Sequence, residues 1–86
     1  MTSPSVYRVV KYDGLFTKSV GYTWTIETAI NIIERQIALY LMSYTRSTVK
    51  RIWDREPPVA VLTLRESNGL FVREWQYTII KIKVME

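Results

Sequence analysis

Arg46, Lys50, Arg51 and Arg55 surround Trp53 on one short stretch of the chain. A row of cations beside an aromatic ring suits single-stranded nucleic acid, because phosphates take the charges and bases stack on the ring. The same five residues are the candidate contact surface for a protein partner. Phe71, Arg73, Trp75 and Tyr77 repeat the combination at alternate positions, although opposite Leu62 and Leu64 such a row also reads as core. Carboxylates are the remaining acid and base groups of ordinary pKa, and the candidates are Asp54 with Glu56, Glu66 and Glu74. None makes a convincing catalytic pair: Asp54 and Glu56 are interleaved with Arg55 and run into two prolines, as solvated charges at an edge and a turn do.

What is missing excludes more. The 86 residues contain no cysteine and no histidine, which removes thiolate nucleophiles, zinc clusters and imidazole bases. Three glycines, each isolated at a turn, cannot cradle a phosphate chain. The expectation is a non-catalytic protein without a metal. Twelve Lys and Arg against eight Asp and Glu give a net charge of +4, compatible with an anionic partner. The first residues, Met1-Thr2-Ser3-Pro4-Ser5, lack the basic and apolar runs of an export signal, and Arg, Glu, Asn or Gln interrupt the longest apolar segments. A cytoplasmic protein with no membrane span is expected.

The elements that must position these residues follow from spacing. Val6 to Tyr12 is β-branched and aromatic, and Asp13-Gly14 suits a two-residue hairpin turn, so Leu15 to Val20 is expected to return as a strand with Tyr12 facing Leu15, Val10 facing Thr17 and Arg8 facing Ser19. Thr25 is the expected N-cap of a helix, with Glu27 in its first turn. Ile26, Ala29, Ile30, Ile33, Ile37, Leu41 and Tyr44 recur at three and four, the period of an amphipathic helix of about five turns. Ile32, Leu39, Tyr40 and Met42 widen its apolar stripe, and Arg46 is placed to meet its negative end.

Thr48 to Asp54 alternates loosely, as an edge strand does, with Val49 and Trp53 on one side. After Pro57-Pro58, Val59 to Arg65 is a strand, and Ser67-Asn68-Gly69 turns it into the long run from Leu70 to about Val84. With Asn68 and Gly69 as turn residues, Leu64 lies opposite Arg73, Leu62 opposite Trp75 and Ala60 opposite Tyr77. Phe71 and Ile79 share that core face. Past Ile79 the apolar phase moves to Ile80, Ile82 and Val84, which a β-bulge at Thr78 to Ile80 would explain. The expected fold is α+β, a single domain over 1–86: one antiparallel or mixed sheet of four to five strands, one long helix on one face, order β-β-α-β-β-β.

One helix is narrow for such a sheet. At roughly 10 Å it spans about two strands, each about 4.8 Å from the next. Val6, Val10, Tyr12, Leu15, Val59, Val61 and Val72 fall on the other side. A domain this small buries only roughly 60 to 65% of its unfolded surface, so an identical chain is the expected cover and a homo-oligomer, dimer or higher, the expected state. The alternative is that these side chains are singly exposed or reached through strand twist.

Val6-Tyr7-Arg8-Val9-Val10-Lys11, followed by Trp24 shortly before Glu27-Thr28-Ala29-Ile30-Asn31, resembles the dodecins, small strand-helix-strand-strand proteins that assemble into hollow shells and hold flavins between aromatic rings. The resemblance implies self-assembly and a flavin, with Trp53 as the stacking ring and Gln76 as a contact to the ring edge. The chain departs from that pattern in extra residues after Gly14, a longer helix, Pro57-Pro58, and the missing Glu-Gln-Arg-Gly stretch after Trp53. Three readings stand: a self-associating module acting on a protein partner, a single-stranded nucleic-acid binder, and a dodecin-like flavin-binding oligomer.

Overall fold

The computed structural model describes residues 5–84. The stretch read for an export signal therefore lies, Ser5 apart, outside the described residues. The elements are β1 (Ser5–Tyr12), β2 (Thr17–Thr23), α1 (Ile26–Ser43), β3 (Thr48–Ile52), β4 (Val59–Arg65) and β5 (Phe71–Lys83). They build one antiparallel sheet in the order β2-β1-β5-β4-β3, with the helix on one face. This is the α+β architecture and element order that the spacing predicts.

The helix starts as its sequence dictates. Thr25 Oγ1 accepts from the Thr28 N–H at 3.2 Å, satisfying one of the free donors of the first turn. At the other end the Tyr44 N–H closes the last turn on Tyr40 O at 2.9 Å. No basic residue occupies that turn, and Arg46 lies beyond it in an exposed turn rather than meeting the helix end. Ala29, Ile33 and Ile37 are fully buried; Ile26, Ile30, Ile32, Tyr40, Leu41 and Tyr44 pack around them. Leu39 and Met42, expected to widen the stripe, are exposed. The helix contacts β2, β1, β5 and β4, a wider reach than its diameter suggests. At Gly21 a Cβ would sit only 3.4 Å from Ile32 Cδ1, so helix and sheet meet closely there.

Beneath the helix lie Val9, Ala60, Leu62, Leu64, Trp75, Tyr77 and Ile79. Tyr77 is entirely buried; its hydroxyl donates to Gln36 Oε1 at 3.0 Å, and burial pushes its pKa up to about 12. The Trp75 indole N–H is buried without a hydrogen-bond partner. Tyr40 meets the Trp75 ring edge-on at 4.7 Å between centroids.

The second hairpin pairs as expected, Leu64 with Arg73, Leu62 with Trp75 and Ala60 with Tyr77, but by a different route. The Glu66 N–H donates to Leu70 O and the Gly69 N–H to Glu66 O, so the loop has three residues, with Gly69 at φ +87°. One extra residue, Val72, sits between the Arg65–Phe71 and Leu64–Arg73 pairs and restores the register of a two-residue turn. The bulge turns Phe71 away from the core face on which it was expected, and leaves it exposed.

The first hairpin departs from its expected register. Asp13 Oδ1 accepts from the Leu15 and Phe16 N–H groups at 3.0 and 2.9 Å, and the Asp13 N–H donates to Phe16 O. These bonds consume Leu15 and Phe16 in a four-residue loop, with Gly14 at φ +103°, so Tyr12 pairs with Thr17 and Val10 with Ser19. The N–H of Phe16, then that of Leu15, holds the Asp13 carboxyl below its ordinary pKa. A bulge at Val20 follows, between the Val10–Ser19 and Val9–Gly21 pairs. No bulge occurs at Thr78 to Ile80: β5 runs in unbroken register with β1 from Gln76 to Lys83.

Candidate functional site

Because side chains alternate along a strand, the register assigns every residue to a face. Away from the helix, one row across the sheet reads Ser19, Val10, Thr78, Val59, Ile52, and the next Thr17, Tyr12, Gln76, Val61, Lys50. Toward the start of β1 the same face carries Tyr22, Arg8 and Ile80, then Val6 beside Ile82. The shift of apolar residues to Ile80 and Ile82 has a simple cause. β4 pairs with β5 only as far as Val59–Thr78; past Ile79 the helix side carries Lys81 and Lys83, and the apolar residues take the reverse side.

This reverse face is partly closed by its own side chains. Arg8 Nε donates to Ser19 Oγ at 2.7 Å, which draws the arginine stem toward Val10, the cross-strand partner of Ser19. Val10 and Val59 are buried there with no helix above them. At the open end Tyr22 is 60% exposed, Ile80 40% and Ile82 36%, with Val6 half-buried among them. Thr63 Oγ1 donates to Glu74 Oε2 at the polar end of the face. The result is an apolar strip bordered by hydrogen-bonded polar groups.

A second apolar cluster lies at the tips of the hairpins. β1 and β4 both run antiparallel to β5, so their turns leave the same end of the sheet. Leu15 (84% exposed) and Phe16 stand on one tip; Leu70, Phe71 and Val72 belong to the other. Sequence reading had assigned Leu15, Phe16 and Phe71 to strand faces. For Leu15 and Phe16 the signal that places them in the loop is Asp13, whose side chain caps two following N–H groups.

The candidate residues around Trp53 do not form one surface. Lys50 is on the reverse face, opposite Val61. Arg51 is on the helix face, where its guanidinium forms a two-point ion pair with Glu34, Nε to Oε1 at 2.5 Å and a terminal nitrogen to Oε2 at 3.1 Å. Trp53 is half-buried and packs against the core; Arg46 and Arg55 are exposed in turns on either side of β3. Gln76 is exposed on the reverse face, between Tyr12 and Val61. Trp53 and Gln76 thus occupy opposite sides of the sheet, and one chain does not present both to a single flat ring.

No group of three or more carboxylates among the described residues is placed to hold a metal ion. No helix among them is long and apolar enough to cross a membrane. Comparison of the chain with protein-family models, with curated proteins and with solved structures gives no match.

Proposed function

We propose that the protein is a non-catalytic interaction module that pairs with a second copy of itself through the reverse face of its sheet and offers its hairpin tips to a protein partner. The observation that supports this most is the strip of Val6, Tyr22, Ile80 and Ile82 on a face that no helix covers. A large apolar strip rimmed by polar groups favours association over exposure. An identical chain is the economical partner, because a two-fold axis through the strip lays each copy's isoleucines against the other's. An ordinary stable interface takes roughly 800 Å² per partner, so the pairing would extend from the strip over the flanking row of Tyr12, Gln76 and Val61.

The hairpin tips extend the reading to a second molecule. Leu15, Phe16, Leu70 and Phe71 lie at the end of the sheet away from Val6 and Ile82, so pairing through the strip leaves them free.

The experiment is a mass by multi-angle light scattering at micromolar concentrations, for the natural chain and for Ile80→Lys combined with Ile82→Lys. The expected outcome is twice the 10.2 kDa chain mass for the first and a folded monomer, by circular dichroism, for the second. A natural chain that stays monomeric at tens of micromolar overturns the proposal.

A further inference from the structure

On the helix side, where α1 leaves β2, an open cleft of about 660 Å³ is lined by Lys11, Lys18, Val20, Leu39, Tyr40 and Tyr44, with Gln36 and Ser43 among its polar groups. The volume falls in the range that small-molecule sites occupy, about 300 to 1,000 Å³. Its charge is one-sided. Lys11 and Lys18 are direct cross-strand partners on the same face, and like charges so placed repel. No carboxylate lines the cleft. An adjoining groove shares both lysines and adds Asp13 and Arg73, whose opposite charges offset each other.

Lys11 is also held in place. Its Nζ lies 3.9 Å from the Trp75 ring centroid and 5.1 Å from that of Tyr40, and donates to Tyr40 Oη at 3.2 Å. The only ion pair among the described residues is Arg51–Glu34, so this half-buried ammonium has aromatic faces and a hydroxyl around it but no counter-charge. Beside it Leu39 is 67% exposed, an apolar wall within reach of two cations. A preformed cation with donors to spare, a second ammonium across the strand pair and an apolar wall are the parts of a site for an amphiphilic anion.

We propose that this cleft binds a small organic anion, a carboxylate or phosphate carried on an apolar body, with the anionic group between Lys11 and Lys18 and the body along Leu39, Val20 and Tyr44. The site lies on the opposite side of the sheet from the pairing strip, so it does not depend on self-association.

The test is a titration of the ¹⁵N-labelled chain with 1-naphthyl phosphate, followed by amide shifts, with 1-naphthol and inorganic phosphate as separate arms. Saturable shifts are expected at Lys18, Ser19, Leu39, Tyr40 and Ser43. The neutral naphthol is expected to bind about a hundredfold more weakly, the weight of two charge-assisted contacts. Inorganic phosphate, lacking the apolar body, is expected to be weaker by a similar factor. Lys18→Met, an exposed position that leaves the core intact, should lower affinity for the naphthyl ester about tenfold, as should Lys11→Met; Lys11→Arg should restore most of it. Shifts that map to Tyr22 and Ile80, equal binding of naphthol and its phosphate, binding unaffected by Lys18→Met, or no saturable shift at millimolar ligand would each overturn the proposal.

Discussion

Leu62 and Val61 are neighbours on β4, yet they belong to different environments. Leu62 points under the helix and is fully buried; Val61 points to the other side and is half-buried between Gln76 and Lys50. The whole sheet repeats this contrast. Its helix side is sealed by Ala29, Ile33 and Ile37, and the buried Tyr77 hydroxyl beneath them has a partner in Gln36. Its reverse side is sealed only around Val10 and Val59, by an arginine stem and neighbouring strands. The difference teaches that similar valines and isoleucines do different work according to what lies above them. Under a helix they contribute folding stability; without one they remain available for a partner.

Truncations at the centre of the sealed side should show the largest effects. Trp75→Ala removes a ring that touches both Tyr40 and Lys11 and is 4% exposed, and should cost about 3 to 5 kcal/mol in urea unfolding. Leu62→Ala should cost about 2 to 5 kcal/mol. Both are large fractions of the roughly 5 to 15 kcal/mol available to a small domain. Val61→Ala, one residue away, should cost about 1 kcal/mol or less in dilute solution. Equal losses at positions 61 and 62 would mean that the reverse face is as dry as the core, and the contrast between the faces would disappear. Trp53→Ala should fall between them, since that ring is half-buried against the core at the end of an edge strand.

How far the sequence reveals this arrangement depends on where the controlling interactions lie. The helix was legible because Ile26, Ile30, Ile33 and Ile37 carry its period and Thr25 its cap, all local signals. The element order and the two hairpins followed from alternating segments and two turn sequences; the pairing of β1 with β5 that joins them has no local signal. Register was legible only where errors cancelled: the bulge at Val72 offsets the three-residue loop at Ser67-Asn68-Gly69, so the pairs from Leu64 onward are those of a simpler turn. In the first hairpin nothing offsets the Asp13 side chain, and Leu15 and Phe16, strand-forming by type, end in a loop. The displaced phase at Ile80 and Ile82 records where β4 stops, a tertiary fact with no local signature. The basic cluster near Trp53 looked continuous because adjacent residues in a strand are adjacent in sequence; the pleat sends Lys50 and Arg51 to opposite sides. The Lys11–Lys18 cleft was not foreseen, since it depends on the corrected register.

The buried Tyr77 hydroxyl gives the sealed side a dependence on alkaline pH. Its pKa rises from 10.0 to about 12 on folding, so the native state keeps its proton where the unfolded chain has released it. Below pH 10 both states hold the proton and the contribution of the neutral hydroxyl is complete. From there toward pH 12 stability should fall by about 1.4 kcal/mol per pH unit, up to about 3 kcal/mol in all. Tyr77→Phe has no such proton. It should lose about 1 kcal/mol at neutral pH, through the unpaired Gln36, and show a shallower alkaline decline. Urea midpoints at about pH 9 and about pH 11 compare the two slopes, and identical slopes would place the alkaline sensitivity elsewhere.

The smallest effect is expected where the helix meets the edge strand. Arg51 and Glu34 form the two-point ion pair that ties β3 to α1, but their side chains are 40% and 37% exposed. In water such a pair loses in side-chain freedom and solvation much of what it gains in attraction. A double-mutant cycle with Glu34→Ala and Arg51→Ala should give a coupling of about 0.2 to 1 kcal/mol, shrinking at high salt. β3 would then rest on Val49 and Trp53 packing against the core, apolar contacts on the helix side that salt does not weaken. A coupling above about 2 kcal/mol that survives high salt would mean that charge secures the edge strand, and that burial beneath the helix is not the common source of stability across this face.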